Sequence, residues 1–333
     1  MFSTLSTILK AVISILFSIS TVIAPGIFGA SQQANKPLDP DNCLLNFVAI
    51  SDTHVHEDGD GGYNDMIFDI VMSDIQNAEV KADALVIAGD VTDHGEEAQW
   101  KYLQNLMSNY DPAERILLAI GNHDTWTEQG DKSSKKLFIE YNKKITGEKV
   151  NNVYYSAKVN GYSFIFLGSE KDNTDAYFSK KQLNWLESEM KKAAKTKKPI
   201  FVVSHWPLNE THGLPVTWGD EEYTKMTGGM GEQSAQVKKI LNKYKNVFLI
   251  SGHIHSGFSN EAMAEKNGYQ SIEKYGNIVS VNLPTVNAVM KNGHFMLGTG
   301  YNVEVYKDKV VFRARNYAAE SWLPGYNYTF EIK

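Results

Sequence analysis

The 333-residue chain contains one cysteine, Cys43. This excludes an intrachain disulfide framework and any zinc site built on two or four thiolates. Arginine is nearly as scarce. Arg115, Arg313 and Arg315 are the only arginines among 33 basic residues, so few bidentate guanidinium clamps exist for a phosphate. Acidic residues number 39, and the formal net charge is −6. That balance argues against a nucleic-acid partner or a basic membrane-surface protein. Long apolar runs and internal repeats are also absent. The remainder is ordinary: 42% hydrophobic and 11% aromatic residues are enough for one large folded core.

The first thirty residues have their own layout. Met1 to Lys10 is polar with one lysine, and Ala11 to Ile23 is apolar, interrupted by Ser14, Ser18, Ser20 and Thr21. Ala24-Pro25-Gly26 and Ile27-Phe28-Gly29-Ala30 follow, and then the polar run Ser31 to Lys36. This is the arrangement of a secretory signal peptide, and the apolar stretch is short for a bilayer span. The expectation is a secreted or extracytoplasmic protein: residues 1–30 removed, 31–41 a polar leader, and 42–333 one folded domain. The alternative is a membrane anchor through residues 11–30. Phe28, three places before Ala30, is not small, so the cut point stays open. Cys43 lacks a lipid-attachment context and reads as an inert thiol.

From Asn46 onward, strand-like and helix-like segments alternate. Phe47–Ile50, Ala84–Ala88, Ile116–Ile120, Ile200–Val203 and Val247–Ile250 are continuous apolar runs, the pattern of strands buried on both faces. Helix candidates lie at 65–78, 96–108, 179–194 and 233–244. Such alternation predicts an α/β protein with a mostly parallel central sheet. Further strands are expected at 277–282, 301–306, 310–316 and 328–332.

A polar cluster follows each of the five apolar runs. They are Ser51-Asp52-Thr53-His54, then Gly89-Asp90-Val91-Thr92-Asp93-His94-Gly95, Gly121-Asn122-His123-Asp124, Ser204-His205, and Ser251-Gly252-His253-Ile254-His255. In parallel sheets the carboxyl ends of the strands line one rim, where ligands bind. Residues far apart in sequence therefore converge. The set offers imidazoles, carboxylates and an amide, a mixture that suits Mn, Fe, Zn, Co or Ni. There are more ligands than one ion needs. Two ions sharing a carboxylate would use them, and paired metals form a clamp for in-line displacement at phosphorus.

These ordered blocks resemble the signature of the calcineurin-like metallophosphoesterases, over the stretch from Asp52 to His255. The resemblance implies a sandwich of two mixed β-sheets flanked by helices, with the metal site at the carboxyl-end rim of the strands. It implies two divalent metal ions and hydrolysis of a small phosphoester by a hydroxide bridging them. Asp52, His54 and His255 would hold one ion, Asn122, His205 and His253 the other, and Asp90 would bridge. His123 would hold neither and would face the phosphoryl oxygen and the leaving group. Asp93, His94 and Asp124 would support this set from behind, Asp124 either orienting His123 or capping the next segment. The purple acid phosphatase branch has a metal-ligating tyrosine where this chain has Asp93. The closer resemblance is therefore to the branch containing cyclic-nucleotide phosphodiesterases. A phosphodiesterase is expected; a phosphomonoesterase or nucleotidase on the same site, or a non-catalytic secreted binding protein, are the alternatives. Nothing in the sequence implies a stable protein partner.

His56, His212 and His294 fall outside the blocks and read as loop polars. Two connections are longer than a compact α/β unit needs. Residues 206–232 contain Trp218 and Tyr223, and residues 256–276 contain Phe258 and Tyr269. Both leave the rim directly and are expected to form substrate-selecting walls.

Overall fold

The structure of the chain, a computed structural model, describes residues 33–56, 63–126, 131–171, 175–218, 227–287, 289 and 296–332. The signal-like segment 1–30, Tyr223 and His294 lie outside the described residues. Among the described residues no helix is long and apolar enough to cross a membrane.

Among the described residues thirteen strands form two sheets. In chain order they are β1 (Leu45–Ile50), β2 (Ala84–Ile87), β3 (Ile116–Leu118), β4 (Tyr155–Val159), β5 (Tyr162–Leu167), β6 (Ile200–Ser204), β7 (Val247–Ser251), β8 (Ile272–Tyr275), β9 (Ile278–Asn282), β10 (Thr299–Val305), β11 (Lys309–Asn316), β12 (Ser321–Trp322) and β13 (Tyr328–Glu331). One sheet runs β12-β11-β10-β1-β2-β3, with β13 paired to β11; the other runs β4-β5-β6-β7-β9-β8. The five apolar runs are thus divided between two mixed sheets rather than gathered in one central sheet. Strands β1, β2 and β3 are mutually parallel in the first. Strands β5, β6, β7 and β9 are parallel in the second. Periodicity reports that a strand is buried on both faces; it does not report whether a helix or a second sheet covers it.

Here each sheet has a sheet on one side and helices on the other. Phe47 of β1 meets Phe164 and Phe201 of the facing sheet edge-on, at 5.1 and 4.9 Å, a preferred aromatic geometry. Helices α1 (Tyr63–Gln76), α2 (Glu97–Met107) and α3 (Asp131–Thr146) cover the outer face of the first sheet. Helices α4 (Lys180–Ala194) and α5 (Ser234–Leu241) cover the outer face of the second. Ser179, expected as the first residue of the helix at 179–194, is instead the N-cap of α4 and accepts from Gln182 N.

The arginines serve this frame. Arg315 makes a buried bidentate pair with Asp74, at 2.6 and 2.7 Å. Arg313 pairs with buried Glu304 at 2.8 Å, and Arg115 with Glu148. Residues 33–36, read as leader, are docked across the same region. Arg315 donates to Gln33 O at 3.0 Å, Trp322 Nε1 to Ala34 O at 3.2 Å and Arg313 to Lys36 O at 2.8 Å. Burial, with Glu304 adding, pushes the Cys43 thiol up to about 11.

Candidate metal centre

The site begins where β1, β2, β3, β6 and β7 end. The chain leaves β1 and β2 in parallel, with Asp52 N donating to Gly89 O and His54 N to Asp90 O, at 3.1 and 3.0 Å. Five of the site residues adopt left-handed backbone: Asp52 (φ 56°), His54 (42°), Asp90 (47°), His253 (74°) and His255 (55°). A side-chain-bearing residue there is strained by roughly 1–3 kcal/mol. Such strain persists where neighbouring contacts over-determine the loop, and it concentrates at functional sites.

The glycines of the blocks act mainly through close approach. A Cβ on Gly121 would fall 2.1 Å from Asp90 Oδ1, and one on Gly252 would fall 1.9 Å from Ser51 Oγ. Gly89, at φ +91°, also needs the conformational freedom of a tight turn.

Four groups of ligand-type atoms result among the described residues, two of them around Asp93 (His54, Asp93, His123; His56, Asp93, His94) and two around Asp90. Of the two ligand groups around Asp90, Asp52, His54, Asp90 and His255 form one; Asp90, His205 and His253 form the other, and Asp90 belongs to both. In the first, His255 Nε2 lies 3.0 Å from Asp52 Oδ1 and 3.1 Å from His54 Nε2. In the second, His205 Nε2 lies 3.1 Å from Asp90 Oδ2, 3.2 Å from His253 Nδ1 and 3.1 Å from Asn122 Oδ1. The structure thus brings all seven expected ligands together. The two oxygens of Asp90 have different surroundings. Its Oδ1 accepts His123 N–H at 2.8 Å, and Oδ2 is buried without a hydrogen-bond partner. His205 Nε2 and His54 Nε2 lie 3.1 and 3.8 Å from Oδ2.

This arrangement fits divalent cations. His54 Nδ1 faces the Asp93 carboxylate and His205 Nδ1 the Ala88 carbonyl, both acceptors, so in the neutral rings the Nε2 lone pairs point into the two groups, where a cation would accept them. The orphaned Asp90 Oδ2 points the same way. The charges agree as well. Burial alone would raise Asp52, but the imidazoles of His255 and His205 hold it down at about 2. Asp90 is likewise held well below the usual carboxylate range: burial opposes this, and His205, His123 and His54 outweigh it. Burial drives His253 well below the usual imidazole value, and His205 beside it adds to this.

The supporting residues divide into three. Asp93 Oδ1 lies 3.1 Å from His54 Nδ1 and its Oδ2 2.9 Å from His94 Nδ1, while its backbone carbonyl is 2.7 Å from His123 Nδ1. His94 is half-exposed and touches Asp93 rather than either ligand group. Asp124 neither orients the His123 ring nor caps a helix. Its Oδ1 accepts from Val91 N, Thr92 N and Thr92 Oγ1 at 3.0, 2.9 and 2.9 Å, and its Oδ2 from Gly121 N at 2.8 Å. It therefore staples the loop after β2 to the loop after β3.

Further supports sit at the end of β9 and in the segment after it. Thr285 Oγ1 and Asn287 Nδ2 both donate to the Asp52 carbonyl at 3.1 Å. Asn282 donates to the Gly252 carbonyl and accepts from Tyr269 OH at 2.9 Å. Tyr269 and Phe258 are buried, so they brace the rim from inside and do not wall the substrate space. The connection 256–276 is also not a bare loop, since it contains α6 (Glu261–Asn267) and β8. In the other long connection, Trp218 stacks on His253 at 5.3 Å and 13°. His212 is buried between Gln270 O and Ser280 Oγ, away from the rim. His56 stands edge-on to His94 at 5.9 Å.

Residues 45–257, close to two thirds of the chain, match the calcineurin-like phosphoesterase family, and the chain belongs to that family. It is thereby a metal-dependent phosphoester hydrolase with the ligand set of a dimetal site. A protein of Arcobacter nitrofigilis named as a probable glycerophosphodiester phosphodiesterase is 25% identical over 217 residues, 62% of this chain and 71% of that one. Among solved structures, a dimetal phosphatase from Danio rerio has a TM-score of 0.58 at 15% identity, covering 87% of this chain and 100% of that one. A purple acid phosphatase from yellow lupin (Lupinus luteus) seeds has a TM-score of 0.57 at 11% identity, covering 86% of this chain and 53% of that one. At these identities the two structures share the fold with this chain.

Proposed function

We propose that this chain is an exported phosphodiesterase that works with two divalent ions. The observation that carries the reading is the Asp90 carboxylate, whose one unpartnered oxygen stands between two ligand groups while its other oxygen holds the backbone of His123. Asp52, His54 and His255 would hold one ion, Asn122, His205 and His253 the second, with Asp90 on both. When bound, such ions neutralise phosphoryl charge and lower the pKa of water, supplying a nucleophile at neutral pH. Mn, Fe, Zn, Co and Ni all suit this donor set.

The protein's own groups do the orienting. The Asp93 carboxylate turns His54 so that Nε2 faces the group, and the Ala88 carbonyl does the same for His205 from 2.9 Å. Such partners fix the tautomer and raise ligand basicity. His123 is tied through Nδ1 to the Asp93 carbonyl, which leaves Nε2 to meet the substrate. From there it protonates the departing oxygen as a general acid. The amide of Asn122 adds a dipole beside the phosphoryl group.

Diester preference has two supports. The similar Arcobacter protein is named for a phosphodiester substrate. All three arginines are engaged in Glu148, Glu304 and Asp74 pairs, so no guanidinium is left for the extra charge of a monoester. Export is supported by the layout of residues 1–30. The test is a panel on metal-reconstituted protein: bis-p-nitrophenyl phosphate, p-nitrophenyl phosphate, glycerophosphoethanolamine, cyclic AMP and a nucleotide monophosphate. The diesters should have the higher kcat/KM. Faster turnover of the monoesters would overturn the diesterase reading.

A further inference from the structure

Beside His123 the rim carries a large aromatic surface that the chemistry described so far does not use. Trp126 closes the short turn His123–Thr125, donating its backbone N–H to His123 O at 3.1 Å. Its ring meets His123 edge-on at 4.9 Å and 83°, and lies nearly parallel to His94 at 5.9 Å and 25°. His94 is itself fixed by Asp93 at 2.9 Å. The indole is therefore held in place by two imidazoles, both tied to Asp93, yet it is 58% exposed. An indole that is oriented but left open presents a π-face to solvent, and planar rings stack on such faces.

We propose that Trp126, with His94 beside it, is a stacking subsite for a planar ring on the leaving-group side of the phosphodiester, an aryl ring or a nucleobase. The assignment of side rests on the proposed function, through His123 as the acid that meets the departing oxygen. Whatever leaves past His123 passes the indole. A ring gains stacking there, whereas a glyceryl chain offers no π-face to match the indole.

The test separates binding from turnover. Uncleavable phosphonate isosteres, with CH₂ replacing the leaving oxygen, are prepared with an adenosyl, a phenyl or a glyceryl group on that side. Their Kd values are measured by calorimetry on metal-loaded protein, on Trp126→Ala and on Trp126→Phe. Removing one stacking face should weaken a nucleobase ligand about 5–100-fold. In Trp126→Ala the ratio of adenosyl to glyceryl Kd should rise by that factor, and Trp126→Phe should restore most of it. A rise for adenosyl and phenyl alike assigns the subsite to any planar ring; a rise for adenosyl alone assigns it to nucleobases. An unchanged ratio, or a uniform loss for all three ligands, overturns the proposal. Failure of the diesterase reading would appear instead in the hydrolysis panel, with the Kd split intact.

Discussion

His54 Nδ1 lies 3.1 Å from Asp93 Oδ1, so the Asp93 carboxylate stands behind an imidazole whose Nε2 faces His255. The same aspartate reaches His123 through its backbone carbonyl. One residue thereby sets the direction of a ligand and of the proposed acid.

Asp93→Asn should retain the fold and weaken loading of the group that contains His54. Loss of such a back-side carboxylate costs about 10–100-fold in metal affinity or activity. Competition with a chelating dye measures this. Unchanged affinity would mean that the Asp93 contact is incidental.

His123→Ala should keep its metal content and lose about 10²–10⁴-fold in kcat, the range for a positioned general acid. The loss should be smaller for a p-nitrophenyl ester, whose leaving group departs without protonation, than for an alkyl or ribose ester. Equal penalties would assign His123 to phosphoryl charge. Loss of metal would make it a ligand.

Asp124→Ala should destabilise the chain as a whole. Four donors would lose a buried acceptor, and each unsatisfied buried group costs about 1–3 kcal/mol. The urea midpoint should fall and metal affinity should fall with it, because the staple joins two ligand loops. An unchanged midpoint would contradict the role given to Asp124.

Metal loading of the second group should depend on pH. Burial opposes charge on His205, but the Asp90 carboxylate outweighs it and pushes the imidazole up to about 9. A metal takes the neutral ring. Below about 9, binding must therefore expel that proton, and affinity should rise as pH increases toward this value. Calorimetry in buffers of different ionisation enthalpy should detect the release near neutral pH, and His205→Gln should lose it. Equal proton release by the two proteins would contradict the assignment.

The site was legible in the sequence because its ligands sit at the ends of unusually apolar runs. Those runs are apolar because β1, β2, β6 and β7 are buried on both faces. The division into two sheets was not legible from periodicity, because a covering sheet and a covering helix demand the same side chains; it came from the family resemblance. The β4–β5 hairpin was missed, although Asn160-Gly161 signals it. Both residues have positive φ, at 50° and 77°, as a tight hairpin turn requires. In β4 only Tyr155, Ala157 and Val159 face inward, so the strand reads as polar on average. Helix α3 was missed as well. The supports Thr285, Asn287 and Asn282 could not be found from spacing, since their work is done through backbone carbonyls of distant loops. How Asp124 gives its support was not legible for a related reason: its sequence neighbour is His123, but its partners are Val91, Thr92 and Gly121.

One carboxylate, Asp90, belongs to both ligand groups. Elemental analysis of the chain without residues 1–30 should give about two divalent ions per molecule, as a two-metal clamp requires. His255→Ala and His253→Ala should each lower occupancy mainly in their own group, while Asp90→Ala should lower both together. Full loading of Asp90→Ala, or loss of one ion with the other held at wild-type affinity, would contradict the shared carboxylate and the two-ion site built on it.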